Sequence, residues 1–328
     1  MVVQLASAGA VPQRALVTGA TGFIGGVLAR RLIAGGCVTT LLVRPGSDVA
    51  NLADIASRAA ICPAAVDDVE GIAAIVAAAR PNVVFHLGVH NISMHRPSDI
   101  VPLFQSNVTG SAILCDAMVR GSCPTIVAVG SALQHGDGAP FGPVCLYAAA
   151  KQAMQDVFEY YAQCHSLRSI TLKLFHAYGL GDRRPRLLRL LCRAAVCGET
   201  LETTEGHQVI DLTHVDDVVA ALLRAADTSF AAGDGHAQSF SIASGRPVTV
   251  RQLADLVQHI AGRPLPIVWG VLPYKPREFF APVSLGERLS GWAPRITLEQ
   301  GIAEMIAAED ANHLQSTTSR RAYGASPQ

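Results

Sequence analysis

The 328-residue chain carries little charge and no charge imbalance: 16% of its residues are charged, and Lys plus Arg (26) equals Asp plus Glu (26). Without a net basic field it has no long-range pull on nucleic acid or on an anionic membrane surface, so neither is an expected partner and an anionic ligand must be held by local groups. No apolar run reaches the roughly 18 residues that a bilayer-spanning helix needs. The first residues, MVVQLASAGAVPQRALV, lack the charged start and apolar core of a secretory leader, which makes the cytoplasm the expected location. Eight cysteines (37, 62, 115, 123, 145, 164, 192 and 197) show no CxxC spacing. That scatter argues for structural or incidental thiols rather than a disulfide framework or a zinc site. What is abundant is apolar: half the residues are hydrophobic, enough for a sizeable core, and the length suits two domains or one domain with an appended lobe.

Apolar segments alternate in kind. ALVTG (15–19) reads as a buried strand, GVLARRLIAGG (26–36) as a helix closed by glycines, and VTTLLVR (38–44) as a second strand, which together make a βαβ unit. AAIVAAA, NVVFHLG, the helical NVTGSAILCDAMV and the strand TIVAVGS (125–131) continue the pattern. Strands alternating with helices imply a parallel sheet covered on both faces. After residue 180 the order becomes less regular, as expected for a smaller lobe interleaved with the sheet, and from 311 onward the polar, aperiodic sequence predicts a mobile tail.

TGATGFIG (18–25) places Gly19, Gly22 and Gly25 between a strand and a helix. There a backbone without side chains can approach a pyrophosphate and the helix N-terminus favours its charge. Where an acidic residue at the end of the second strand would bind the ribose of NAD, the chain has Arg44, with Ser47 close by. A guanidinium suits a 2′-phosphate, so NADP is the expected cofactor and NAD the alternative. Asp67 and Asp68 follow a third strand, where they can meet an adenine or cap the next helix.

Tyr147 and Lys151 stand four apart at a helix start and so share a face. An ammonium beside a phenol stabilises the phenolate and eases proton exchange with a carbonyl or hydroxyl. Ser131, ending the strand TIVAVGS at the carboxyl edge of the sheet, can polarise the same oxygen.

Together TGATGFIG, Asn107, Ser131, Tyr147 and Lys151 resemble the extended short-chain dehydrogenase/reductase family, especially its nucleotide-sugar branch, over residues 14–308. The resemblance implies a Rossmann-type doubly wound parallel sheet with a smaller C-terminal α/β substrate lobe. The expected boundaries are an N-terminal tail at 1–13, the dinucleotide domain at 14–180 with 208–243 returning to it, the lobe at 181–207 and 244–310, and the tail at 311–328. It implies Tyr147 as acid/base, Lys151 as its tuner and holder of the nicotinamide ribose, Ser131 as the group orienting the substrate oxygen, and Asn107 as a scaffold residue. Cofactor contacts are expected from Gly19, Thr21, Gly22, Phe23, Ile24, Gly25, Arg44, Asp67, Asp68, Leu87, Gly88, Val89, Lys151, Phe175 and His176. Substrate contacts are expected from His90, Ser131, Tyr147, His176 and Arg277, with Asn91 beside His90.

Two departures from relatives, His176 and Ile210, shift a diphosphate clamp toward Arg277, Lys275 or the Arg183, Arg184 and Arg186 cluster. Dehydratases of the branch carry an Asp-Glu pair directly after the strand-end hydroxyl; here Ala132, Leu133 and Gln134 follow Ser131, which argues against elimination. Arg44 and the short stretch between Ser131 and Tyr147 point to reduction of a 4-keto-6-deoxy nucleotide sugar, as in the CDP-abequose synthase-like group. A 4-epimerase with retained NAD is the alternative, and a non-catalytic dinucleotide-binding regulator the second. Relatives dimerise through the helices expected at 107–120 and 147–165, so a homodimer is expected. His86, His90 and His95 fit no single helical face and accompany no carboxylate, so they are read as core or pocket residues rather than metal ligands.

Overall fold

Strand β1 (Arg14–Thr18) runs into a glycine turn and helix α1 (Phe23–Ala34), followed by β2 (Val38–Val43), β3 (Ala60–Pro63), α2 (Val69–Ala79) and β4 (Val83–His86) in a computed structural model that describes residues 11–231, 235–281 and 286–323. Helix α3 (Ile100–Phe104), a π-helical turn (Gln105–Thr109) and α4 (Gly110–Arg120) lead to β5 (Thr125–Ser131), α5 (Leu146–His165) and β6 (Arg168–Leu174). The strand expected at 125–131 has those bounds, and the others differ from expectation at their ends.

The described residues form two units: 11–175 with 216–242 and 286–293, and 176–215 with 243–281 and 294–323. In the first, seven parallel strands follow the order β11-β6-β5-β4-β1-β2-β3, with β11 at Ala237–Ile242. The chain winds outward from β1 through β2 and β3, then restarts on the other side of β1 with β4. The carboxyl ends of β1 and β4 are therefore the switch point where ligands of such sheets bind. The inner strands are buried nearly throughout (VVFH of β4 entirely so), as expected where helices cover both faces. On one face Leu16, Val84, Ile126 and Ala128 pack against Val76, Leu114, Met118, Met154 and Phe158. Burying a side chain such as Phe158 contributes about 1.5–3 kcal/mol.

The second unit contains β7 (His176–Tyr178), α6 (Leu187–Cys197), β8 (Leu201–Glu202), β9 (Val209–Ile210), β10 (Leu212–His214), β12 (Val248–Thr249), α8 (Val250–Ala261), β13 (Ile267–Val268) and α9 (Leu298–Tyr323). Its strands form three two-stranded pairs, β7 with β10, β9 with β12 and β8 with β13. Leu191, Leu253, Val257 and Ile302 from α6, α8 and α9 build its own core.

Helix α7 (Val215–Ala231) belongs, from Asp216 on, to the first unit. Three features differ from the sequence expectation. Residues 176–180 and 208–215, expected in the dinucleotide domain, group with the second unit, where β7 pairs with β10 and β9 with β12. Residues 286–293, expected in the lobe, group with the first unit: the Trp292 indole donates to the Asp217 carbonyl at 2.9 Å and Arg224 donates to the Ser290 carbonyl at 3.2 Å. Residues past 311, expected as an aperiodic tail, continue α9 as far as Tyr323; Arg263 reaches Asp310 at 2.7 Å near that point.

Candidate active site

The glycine turn is built by steric exclusion. Gly19 adopts φ +72°, and a Cβ there would lie 2.6 Å from the Gly88 amide nitrogen and from the Leu87 carbonyl carbon. A Cβ on Gly25 would sit 2.2 Å from the Gly19 carbonyl oxygen. Only glycine lets the β1 turn, the first turn of α1 and the end of β4 approach so closely. The N-cap of α1 is Gly22, which makes no side-chain cap, and no acidic residue lies in the first turn. That end of the helix dipole therefore stays suited to an anion. Thr21 holds the following loop through its carbonyl, which accepts from Asn51 Nδ2 at 2.7 Å. Gly19, Thr21, Gly22, Phe23, Ile24 and Gly25 thus form one edge of the switch point, with Leu87, Gly88 and Val89 beside them after β4 and Phe175 ending the unit's main segment after β6.

Arg44 is exposed directly beyond β2. The Asp68 carboxylate accepts from the Gly71 amide at 2.9 Å and so caps α2, while Asp67 accepts from Gln105 Nε2 at 2.9 Å. Both acidic side chains have intramolecular partners.

Beneath the turn runs a buried polar chain. The Gly88 amide donates to Thr18 Oγ1 (2.9 Å), Thr18 Oγ1 lies 2.9 Å from His86 Nδ1, His86 Nε2 lies 3.0 Å from Ser111 Oγ, and Ser111 Oγ donates to the Asn107 carbonyl (2.8 Å). Because the Ser111 proton is spent on that carbonyl, Ser111 must accept from His86, which fixes the proton on Nε2 and makes Nδ1 the acceptor of the Thr18 hydroxyl. Every bond in the chain then points the same way. Burial, and after it the charge of Lys151, pushes the His86 imidazole down to about 3, consistent with that neutral form. Asn107 completes the framework, its Nδ2 donating to the carbonyls of Leu103 and His90 at 2.9 Å each. His90 is thereby held by its backbone at the pocket side of β4.

The candidate catalytic groups gather at the end of β5. Lys151 is fully buried, and its Nζ donates to the Val129 carbonyl at 2.6 Å, two residues before Ser131. Desolvation pushes its ammonium down to about 7. Tyr147, one turn earlier on α5, is buried in a cluster with Leu103 and Ala150, against which Leu133 packs, two residues after Ser131. The two α5 residues therefore bracket Ser131 along the chain. Ser131 Oγ accepts from the Leu133 amide at 3.2 Å, and the Ser131 amide donates to Gln134 Oε1 at 2.8 Å.

The family profile described as "NAD dependent epimerase/dehydratase family" matches residues 15–243, more than half of the chain. The chain belongs to the NAD-dependent epimerase/dehydratase family. It is thus an oxidoreductase-type enzyme among the NAD-dependent enzymes that modify nucleotide sugars. The UDP-glucose 4-epimerase of Mycolicibacterium smegmatis is 27% identical over 89% of this chain and 97% of its own length. The CDP-abequose synthase of Salmonella muenchen is 22% identical over 52% of this chain and 58% of its own. Among solved structures, MoeE5 in complex with UDP-glucuronic acid and NAD superposes with a TM-score of 0.74 at 25% identity, covering 91% of this chain and 99% of that one. In this family member the glycine cradle fits a dinucleotide: it opens at a bare helix N-terminus and would be filled by a single Cβ.

His176 and Arg277 lie in the second unit. The His176 amide donates to the Asp211 carbonyl at 3.2 Å. The His176 residue is exposed, and desolvation, then the charges of Arg186, Lys275 and Arg184, push its imidazole below the ordinary histidine range. Arg184 is engaged bidentately by Asp182, with both contacts at 2.7 Å, and Arg277 holds φ +58°, a left-handed backbone uncommon for a residue with a side chain. Among the described residues no helix is long and apolar enough to cross a membrane. Thr18, His86, Ser111 and Gln134 were not singled out as site residues from sequence. Their partners lie up to 70 positions away, and a local spacing signal does not reach that far.

Proposed function

We propose that this enzyme reduces the C4 ketone of an NDP-4-keto-6-deoxyhexose, using NADPH, in the cytoplasm and as a homodimer. The observation that carries net reduction is Arg44: an exposed guanidinium follows β2 where a carboxylate would favour the unphosphorylated ribose, and it suits a 2′-phosphate. Bound nicotinamide supplies the hydride. Tyr147 gives its proton to the sugar oxygen, Ser131 donates a hydrogen bond to that oxygen, and Lys151 supplies positive charge beside the phenol. The absence of carboxylates at Ala132, Leu133 and Gln134 leaves water elimination without an acid and base. The positively charged groups Arg186, Lys275 and Arg277 are the proposed holders of the diphosphate, and His90 and His176 the proposed contacts to the sugar.

A second reading, 4-epimerisation with retained NAD, is favoured by the near full-length similarity to proteins described as UDP-sugar 4-epimerases. The two part on stoichiometry. Mixing the purified protein with NADPH and CDP- or dTDP-4-keto-6-deoxyglucose should consume one NADPH per sugar, read at 340 nm. Interconversion of UDP-glucose and UDP-galactose without added NADPH would replace this reading by the epimerase. Cofactor choice gives a separate check. Replacing Arg44 by Asp removes a charge-assisted contact of about 1.5–3 kcal/mol, so the KM for NADPH should rise about 10- to 100-fold, while that for NADH should fall as the new carboxylate meets the ribose hydroxyls. An unchanged KM for NADPH would remove Arg44 from the argument.

A further inference from the structure

Gln134 is fully buried as the last residue of the 3₁₀ turn that follows Ser131, and its carboxamide is used up on both sides. Its Oε1 accepts the Ser131 amide at 2.8 Å; its Nε2 donates to Gln152 Oε1 at 3.1 Å and, in a shorter contact, to Gln155 Oε1. The orientation of the amide is forced, because a backbone N–H can only meet the oxygen end. Gln152 and Gln155 stand on α5, in the turns that follow Tyr147 and Lys151. One side chain therefore ties the end of β5 to the helix carrying the proton donor. We propose that Gln134 is a positioning residue that sets Ser131 against α5, so that the Ser131 hydroxyl and the Tyr147 phenol address the same substrate oxygen.

The proposal rests on the reading above for the roles of Ser131 and Tyr147, but its geometric part does not. Its chemistry separates hydrogen bonding from packing. Methionine fills the volume of glutamine yet accepts nothing, leaving the Ser131 amide unpaired in a buried place. Glutamate keeps an oxygen for that amide, and Gln155, whose Nε2 has no other partner among the described residues, can turn its carboxamide over and donate to the second oxygen. The Lys173 stem lies nearby: a Cβ on Gly130 would meet both Gln134 Oε1 at 3.0 Å and Lys173 Cγ at 3.2 Å. A packing role predicts the opposite order, with methionine tolerated and glutamate not.

The test is steady-state kinetics of Gln134→Met and Gln134→Glu, together with the exchange rate of the Ser131 amide proton by NMR in the free protein. An unsatisfied buried amide corresponds to about a 10- to 100-fold loss. Gln134→Met should lower kcat by about that factor with KM within about 3-fold, and speed Ser131 exchange at least 10-fold, whereas Gln134→Glu should recover most of both. Should Gln134→Met not fold, Gln152→Leu combined with Gln155→Leu severs the α5 end of the link at partly exposed sites and should lower kcat in the same direction. Wild-type kcat in Gln134→Met, or Gln134→Glu falling further than Gln134→Met, overturns the proposal. If the wild type turns over neither ketosugar nor UDP-hexose, the functional reading fails while the exchange measurement still decides the geometric claim.

Discussion

Replacing Tyr147 by phenylalanine is expected to lower kcat by about 100- to 10,000-fold, the range in which a positioned proton donor contributes. The ring should stay where it is. Tyr147 packs with Leu103 and Ala150 in an apolar cluster that phenylalanine fills equally well, so the melting temperature should move by no more than a few degrees and cofactor binding should persist. Kinetics and a thermal melt on the same preparation separate the two effects. A variant that retains more than about a tenth of wild-type kcat would take the proton-transfer role away from Tyr147.

Lys151→Met is expected to move activity and stability in opposite directions. Loss of the ammonium should cost at least about 100-fold in kcat, since the phenol loses its stabilising charge. The same change removes a cation that the fold buries completely and that, among the described residues, is satisfied through the Val129 carbonyl and a 3.6 Å contact to Met154 Sδ. The sign with pH follows from the lowered value. Lys151 titrates near 7 in the folded protein against an ordinary 10.5. Between these values the unfolded chain binds the proton and the folded one does not, so stability rises with pH through that window and the full cost of the buried charge is borne below 7. At pH 6.5 the methionine variant of the cofactor-free protein should therefore melt higher than wild type, by about 1–2 °C for each kcal/mol removed. The gap should close as pH approaches 10. A lower melting point for Lys151→Met at pH 6.5 would show that the ammonium stabilises the fold rather than straining it.

Much of this architecture is legible in the linear sequence because its signals are local. The glycine turn spans eight residues, Tyr147 and Lys151 are one helical turn apart, and TIVAVGS is a run whose ends coincide with those of β5. The membership of the family rests on those same stretches. Other features depend on partners far apart in the chain. His86 reads as a core histidine by itself; only the fold brings Thr18 to one ring nitrogen and Ser111 to the other. Gln134 reads as a missing carboxylate, and its buried amide acquires meaning only when α5 supplies Gln152 and Gln155. The segment around Trp292 looks like part of the lobe until its indole meets the Asp217 carbonyl. Polar composition past residue 311 suggested a tail, whereas α9 persists to Tyr323, since helix-forming residues need no apolar stripe once a helix is already nucleated.

The single wide turn at Gln105–Thr109 carries more weight than its length suggests. An extra residue accommodated between α3 and α4 lets the Asn107 amide bond both the Leu103 carbonyl behind it and the chain after β4, while Ser111, one turn on, still faces His86. Excising one residue there would restore an unbroken helix and swing everything downstream by about 100° around its axis. Ser111 and His86 would part together with Asn107 and His90. One residue of extra length in the helix thus decides at once whether the strand end after β4 and the imidazole beneath the glycine turn are both held.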